Sequence, residues 1–115
     1  MPIVNFTKKT LISHTVEDCV SFWEQIKGMM FRKNVVPLLF RFPREQHISL
    51  HSWFCPDAMD LVFLDESWEV VEAYSEWETK SSYRNSRPAM FLLELPVGTI
   101  ARTNTEVGDV VHITK

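Results

Sequence analysis

Glycine is scarce in this chain, three in 115 residues. That excludes glycine-rich linkers and the glycine-rich loops that cradle phosphates. Cysteine is nearly as rare. Cys19 and Cys55 make no disulfide framework and suit a reducing compartment, so a cytoplasmic location is expected. Basic clusters are missing too. The formal net charge is −3 and no Lys/Arg run exceeds the pair Lys8-Lys9, which argues against a nucleic-acid face. The longest apolar run, Val35 to Phe40 around Pro37, falls far short of the roughly 20 residues that span a bilayer. The start, MPIVNFTKKT, lacks a basic segment leading into an apolar one, so no signal peptide is expected.

What remains is ordinary globular composition, 45% apolar and 23% charged. Without repeats, low-complexity stretches or linkers, residues 1–115 are expected to form one domain.

Ile3 to Phe6 and Thr10 to His14 read as short strands, rich in β-branched and aromatic residues. Thr15 then looks like a helix N-cap, with Glu17 and Asp18 where the helix dipole favours negative charge. Val16, Cys19, Val20, Trp23, Ile26 and Met30 recur at three- and four-residue spacing, which predicts a helix from Val16 to Lys27 with Trp23 in the core. Gly28 falls where a left-handed residue closes such a helix. Beyond it the period becomes that of strands: Leu38 to Phe42, His47 to Phe54, Met59 to Leu64, Trp68 to Trp77, Met90 to Leu95 and Val110 to Ile113, separated by prolines. Asp65-Glu66-Ser67 reads as a hairpin turn, and the polar run from Ser81 to Arg87 as an exposed loop. The expected fold class is α+β: mainly antiparallel β, a curled sheet or small barrel-like closure, with one helix in the N-terminal half.

Several segments together resemble the DUF192 (UPF0127) family. Gly28-Met29-Met30-Phe31-Arg32 is similar to its Gly-Leu-Met-x-Arg segment, and Leu38 to Phe42 to its Met-Leu-Phe-x-Phe strand. Ile48 to Ser52 followed by Met59 to Asp65 resembles its Ile-His-Thr and Pro-Ile-Asp-x-x-Phe-Leu-Asp pair. Leu93-Glu94-Leu95-Pro96-Val97-Gly98 and Val107-Gly108-Asp109-Val110-Val111 match its Leu-Glu-Leu-x-x-Gly and Gly-Asp turns. Ala58 departs from the family's usual proline, and Pro37 stands where glycine is frequent. The resemblance implies a mainly β domain of bacteria and archaea. It carries no activity, cofactor or catalytic residue to this chain.

The polar residues in apolar surroundings are the candidates for a site. His47, His51 and Cys55 have metal-ligand chemistry, but four-residue spacing on a strand separates them by about 13 Å, too far for one ion. No metal or other cofactor is therefore expected. The same distance separates Cys55 from His51 as a nucleophile and base, and a free cysteine is more often a small buried hydrophobe. Trp53, Phe54, Trp68 and Trp77 could form a stacking surface, though such residues more often build cores or partner contacts.

Arg32, His51 and Asp60 fall on polar positions of the matched motifs. Asp60 opens an apolar strand, where an unpaired carboxylate would be costly. A charge-assisted pair with Arg32, or a hydrogen bond from His51, would meet that cost. The three are thus expected to converge as a ligand-binding or structural cluster, with no catalytic residue assigned. The leading expectation is a non-enzymatic domain that binds a small polar ligand or a protein partner on one concave sheet face. The alternatives are a hydrolase-like enzyme, with Asp60 and His51 as acid–base pair and Arg32 holding an anion, or an oligomerisation module.

Overall fold

The computed structural model describes residues 1–19, 21, 25 and 27–114. Among the described residues, ten strands and one helix with complete bounds follow in the order β1 (Ile3–Asn5), β2 (Thr10–Ser13), β3 (Glu17–Cys19), β4 (Leu38–Gln46), β5 (Ser49–His51), β6 (Met59–Leu64), β7 (Val70–Trp77), β8 (Ser82–Arg84), β9 (Ala89–Pro96), α1 (Thr99–Thr103) and β10 (Val111–Ile113).

The central layer is a five-stranded sheet in the order β3-β4-β9-β6-β7. Its inner strands are apolar at consecutive positions, because both faces are covered. All six residues of β6 are buried. Alternation along the strands divides their side chains between two cores. On the first face Leu38, Phe40, Met59, Leu61, Phe63 and Leu92 pack with Met29, Ile48 and Trp77. On the second, Leu39, Val62, Leu64, Leu93 and Leu95 pack with Ile3, Ile12 and Val111. A three-stranded sheet, β10-β1-β2, covers the second face, and the β5-β8 ribbon contributes to the cover of the first.

The mainly antiparallel β architecture matches expectation, but three features of it do not. The strands do not close into a barrel: the central sheet ends at β3 and β7, and the other strands form separate sheets. The helix expected over 16–27 begins instead as a strand, Glu17–Cys19, paired parallel to β4. Pairing with β4 overrides the local helical pattern, with Asp18 held by the Arg41 guanidinium at 3.1 Å. Gln25 and Lys27 are helical, while Val20, Trp23 and Ile26 of the expected stripe lie outside the described residues. The helix with complete bounds, α1, is in the C-terminal half. Finally, the polar run after Lys80 contains β8, and its Asn85 is buried. The Asn85 carboxamide accepts from the Ile48 amide and donates to the Gln46 and Arg87 carbonyls, which explains how a polar sequence fills an interior position.

The Asp65 hairpin is as expected. Its Oδ1 accepts the Ser67 and Glu69 amides at 2.9 and 3.0 Å, joining β6 to β7. Gly28 has φ +45°, the left-handed conformation expected of it.

Candidate binding cavity

Strand β9 runs Ala-Met-Phe-Leu-Leu-Glu-Leu-Pro, and its alternation puts Leu92 and Glu94 on the first face. Glu94 stands between Leu38 of β4 and Leu61 of β6 in the ladder. A glutamate there is held among apolar neighbours. It is 6% exposed, and its Oε1 has no hydrogen-bond partner among the described residues. Burial pushes its carboxyl up to about 7, an effect only partly offset by the nearby Arg32 charge.

This carboxyl lines a cavity of about 240 Å³. Met29, Phe40, Phe42, Ile48 and Leu50 supply apolar walls. Among the described residues, Lys27, His51 and Cys55 give the cavity polar lining together with Glu94, Ser49 and Gln25. The Gln25 carboxamide is already engaged, donating to the Arg41 carbonyl at 2.8 Å and the Cys19 carbonyl at 3.3 Å. Burial, and then the Glu94 carboxylate, push the Cys55 thiol up to about 11, so it is held protonated at neutral pH.

A backbone clamp positions this wall. Phe31 and Phe54 both have left-handed backbones, with φ +61° and +66°. The Phe31 amide donates to the Phe54 carbonyl at 2.8 Å, and the two rings stack with centroids 5.1 Å apart. The clamp holds Met30 and Cys55, the neighbours of this pair, against the cavity. Gly28 lines it as well, and a Cβ there would meet the Phe40 ring at 3.2 Å. Only glycine lets the chain pass so close.

The residues expected to converge do not pair with one another. Arg32 donates through both terminal nitrogens to Glu17 at 2.9 Å and through Nε to the Gly28 carbonyl at 2.9 Å. This pairing holds the Glu17 carboxyl below its ordinary range. Asp60 is buried, and its oxygens accept the Glu76 and Ile100 amides at 2.9 Å each. Its cost of burial is met by backbone donors rather than by a cation. Alternation also places it on the second face, since Met59 and Leu61 belong to the first, and its partner residue Ile100 packs against the second core. His51 is exposed on β5 and lines the first-face cavity. An acid–base pair of Asp60 and His51 would have to reach through the sheet. Of the three, His51 lines the cavity and Arg32 acts on it at a distance through its charge.

The aromatic residues are dispersed. Trp77 is buried in the first core, Trp68 stacks on Phe91 at 3.8 Å, and Trp53 is exposed. They form no common stacking surface. The Nδ1 atom of His47 lies 2.9 Å from the Asn85 carbonyl. Among the described residues no group of three or more His, Cys, Asp and Glu side chains is arranged to hold a metal ion, and none of the helices is long and apolar enough to cross a membrane.

Sequence reasoning passed over Glu94 as one letter of a matched motif. The signal was present: a lone carboxylate inside the apolar run Met90 to Leu95 raises the same question of partners as Asp60 does.

Covered layers on both faces of a mainly antiparallel sheet are shared with a protein of unknown function from Novosphingobium aromaticivorans. The two superpose with a TM-score of 0.85 over 98% of this chain and 84% of that one, at 20% identity. The class is therefore a small, mainly antiparallel β-sheet domain. Residues 3–113 match the model of DUF192, described as an uncharacterized ACR, and the chain belongs to that family. It is similar to a UPF0127 protein of Pyrococcus furiosus, 35% identical over 93% of each chain. A UPF0127 protein of Thermococcus sibiricus is 32% identical over 93% of this chain and 71% of that protein.

Proposed function

We propose that this is a binding domain that takes a small ligand into the cavity between the first face of the central sheet and the β5 layer. The observation that carries the reading is the Glu94 carboxyl, buried at the cavity wall with Oε1 unpartnered by the described protein groups. Buried polar atoms are almost always paired, and of the two unpaired among the described residues, Trp77 Nε1 and Glu94 Oε1, Glu94 is the one that lines the cavity. Apolar walls with a small number of polar groups are also the usual make-up of a small-molecule site.

Binding is favoured over hydrolysis because the thiol beside Glu94 is pushed up to about 11 and is a poor nucleophile. Asp60 leaves the sheet on the face opposite the cavity, and each of its oxygens accepts a backbone amide there.

The test is amide chemical-shift mapping with toluene, benzyl alcohol and benzylamine. Shifts clustered on Gly28, Leu50, His51 and Cys55 with at least one of the three support the reading. Shifts scattered over the surface, or none at millimolar probe, overturn it.

A further inference from the structure

We infer that the ligand is an organic ammonium compound: an apolar body seated on Phe40, Phe42 and Leu50, with its N–H group donating to Glu94. This rests on the binding reading above and adds the charge and polarity of the ligand.

Three observations carry it. The ionised carboxylate is an acceptor only, and the described groups provide Oε1 with no donor. A neutral donor would satisfy the lone pair but leave a buried charge uncompensated. An ammonium group supplies hydrogen bond and counter-charge together. The Arg32 guanidinium could have filled that role, yet its nitrogens are committed to Glu17 and the Gly28 carbonyl. The Gln25 amide could have donated, yet it is turned to two backbone carbonyls. Arg32 and Gln25 thus spend their donors elsewhere, and no described group donates to Glu94 Oε1.

Size is the second constraint. An engineered apolar cavity of about 150 Å³ accepts benzene. At about 240 Å³ this one takes a body somewhat larger. The rim is the third. Lys27 and His51 line the cavity, and both are exposed, so their fields are weakened by water and ions. A single ammonium at the buried carboxyl is therefore tolerated, whereas a second cationic group near the rim would be repelled.

Among the described residues, the charged and titratable groups facing Glu94 are Lys27, His51 and Cys55 along the cavity, with Arg32 beyond. Benzylamine stays protonated between pH 6 and 8, so its binding must draw the proton off Glu94. The prediction for calorimetric titration of the full chain is that benzylamine binds about tenfold more tightly than benzyl alcohol at pH 7.5. Its affinity should rise from pH 6 to pH 8 in the wild type and in His51→Asn, which removes the imidazole lining the cavity. Glu94→Gln should abolish both the preference and the pH slope. If that variant does not fold, the wild-type pH slope decides alone. Equal or stronger binding of benzyl alcohol, with shifts at Gly28 and Cys55, would overturn the ammonium class and leave the cavity reading standing. No binding of either probe at the cavity amides would overturn both.

Discussion

Asp60 and Glu94 sit on neighbouring, hydrogen-bonded strands, Asp60 opposite Leu95 and Glu94 opposite Leu61, yet their carboxyls leave the sheet on opposite faces. Both are buried. Asp60 has two backbone donors, from Glu76 of β7 and Ile100 of α1; the Oε1 of Glu94 has none among the described residues. One carboxylate ties the fold together and the other is spared from that duty.

Asp60→Ala should therefore destabilise the domain, because two amides that lose their acceptor each cost about 1–3 kcal/mol. A loss of about 2–6 kcal/mol in urea unfolding is expected. Asp60→Asn keeps one accepting oxygen and should cost about half as much. Asp65→Ala, which opens the exposed hairpin turn, should cost under about 1 kcal/mol. A urea midpoint unchanged in Asp60→Ala would show that α1 is not anchored through this side chain.

Gly28→Val should destabilise by roughly 1–3 kcal/mol, since the left-handed backbone resists a β-branched residue. The Phe40 ring must also move, because the added Cβ would lie 3.2 Å from it. Gly28→Ala meets the same contact with a smaller group and should lie between wild type and valine. Equal melting temperatures for all three proteins would mean that this turn adapts at no cost.

These outcomes indicate which parts of the molecule were legible in the sequence. Gly28 and the Asp65 turn were, because each answers to its own local chemistry. Met59 to Leu64 and Met90 to Leu95 were legible as strands too, from their apolar and β-branched composition, and with them much of the core. The strand at Glu17–Cys19 was not: Thr15, two following acids and three- and four-residue spacing all spell a helix start, and only β4 alongside decides otherwise. Arg32 and Asp60 were each correctly read as needing a partner, but the partners, Glu17 for one and backbone amides for the other, lie in elements whose positions local sequence does not encode. Glu94 was legible as a lone carboxylate in an apolar strand, but that the described residues leave its Oε1 without a donor depends on how Arg32 and Gln25 are placed, which local sequence does not encode.

The buried carboxyl also makes stability depend on pH. The folded protein raises the Glu94 value from 4.5 to about 7, so it holds the proton more tightly than the unfolded chain does. Its contribution is fully present below about pH 4.5 and is lost as pH climbs towards about 7. At about 1.4 kcal/mol per unit, the loss is of the order of 3 kcal/mol. Subtracting the unfolding free energy of Glu94→Gln from that of wild type at each pH isolates this group from the others. The difference should fall between pH 4.5 and 7 and stay level above. Arg32→Ala, by removing a charge that lowers the Glu94 value, should move the upper end of that fall to higher pH. A flat difference would mean that water reaches the carboxyl freely.

Cys55 gives an independent reading of the same cavity. Its thiol is raised from 9.0 to about 11, first by burial and then by the Glu94 charge. Alkylation proceeds through the thiolate, whose population at pH 7.5 is about 100-fold smaller at the raised value than at the ordinary one. Iodoacetamide labelling of the folded protein, followed by peptide mass spectrometry, should therefore be about 100-fold slower at Cys55 than in the unfolded chain, even though the residue is only half-buried. The two causes separate on mutation. Glu94→Gln removes the charge and leaves the burial, so labelling should accelerate by less than the full factor. A ligand that fills the cavity should slow it further, by covering the sulfur. Labelling of folded Cys55 at the unfolded rate would mean that the sulfur sits in water, and with it the wall that Cys55 shares with Glu94.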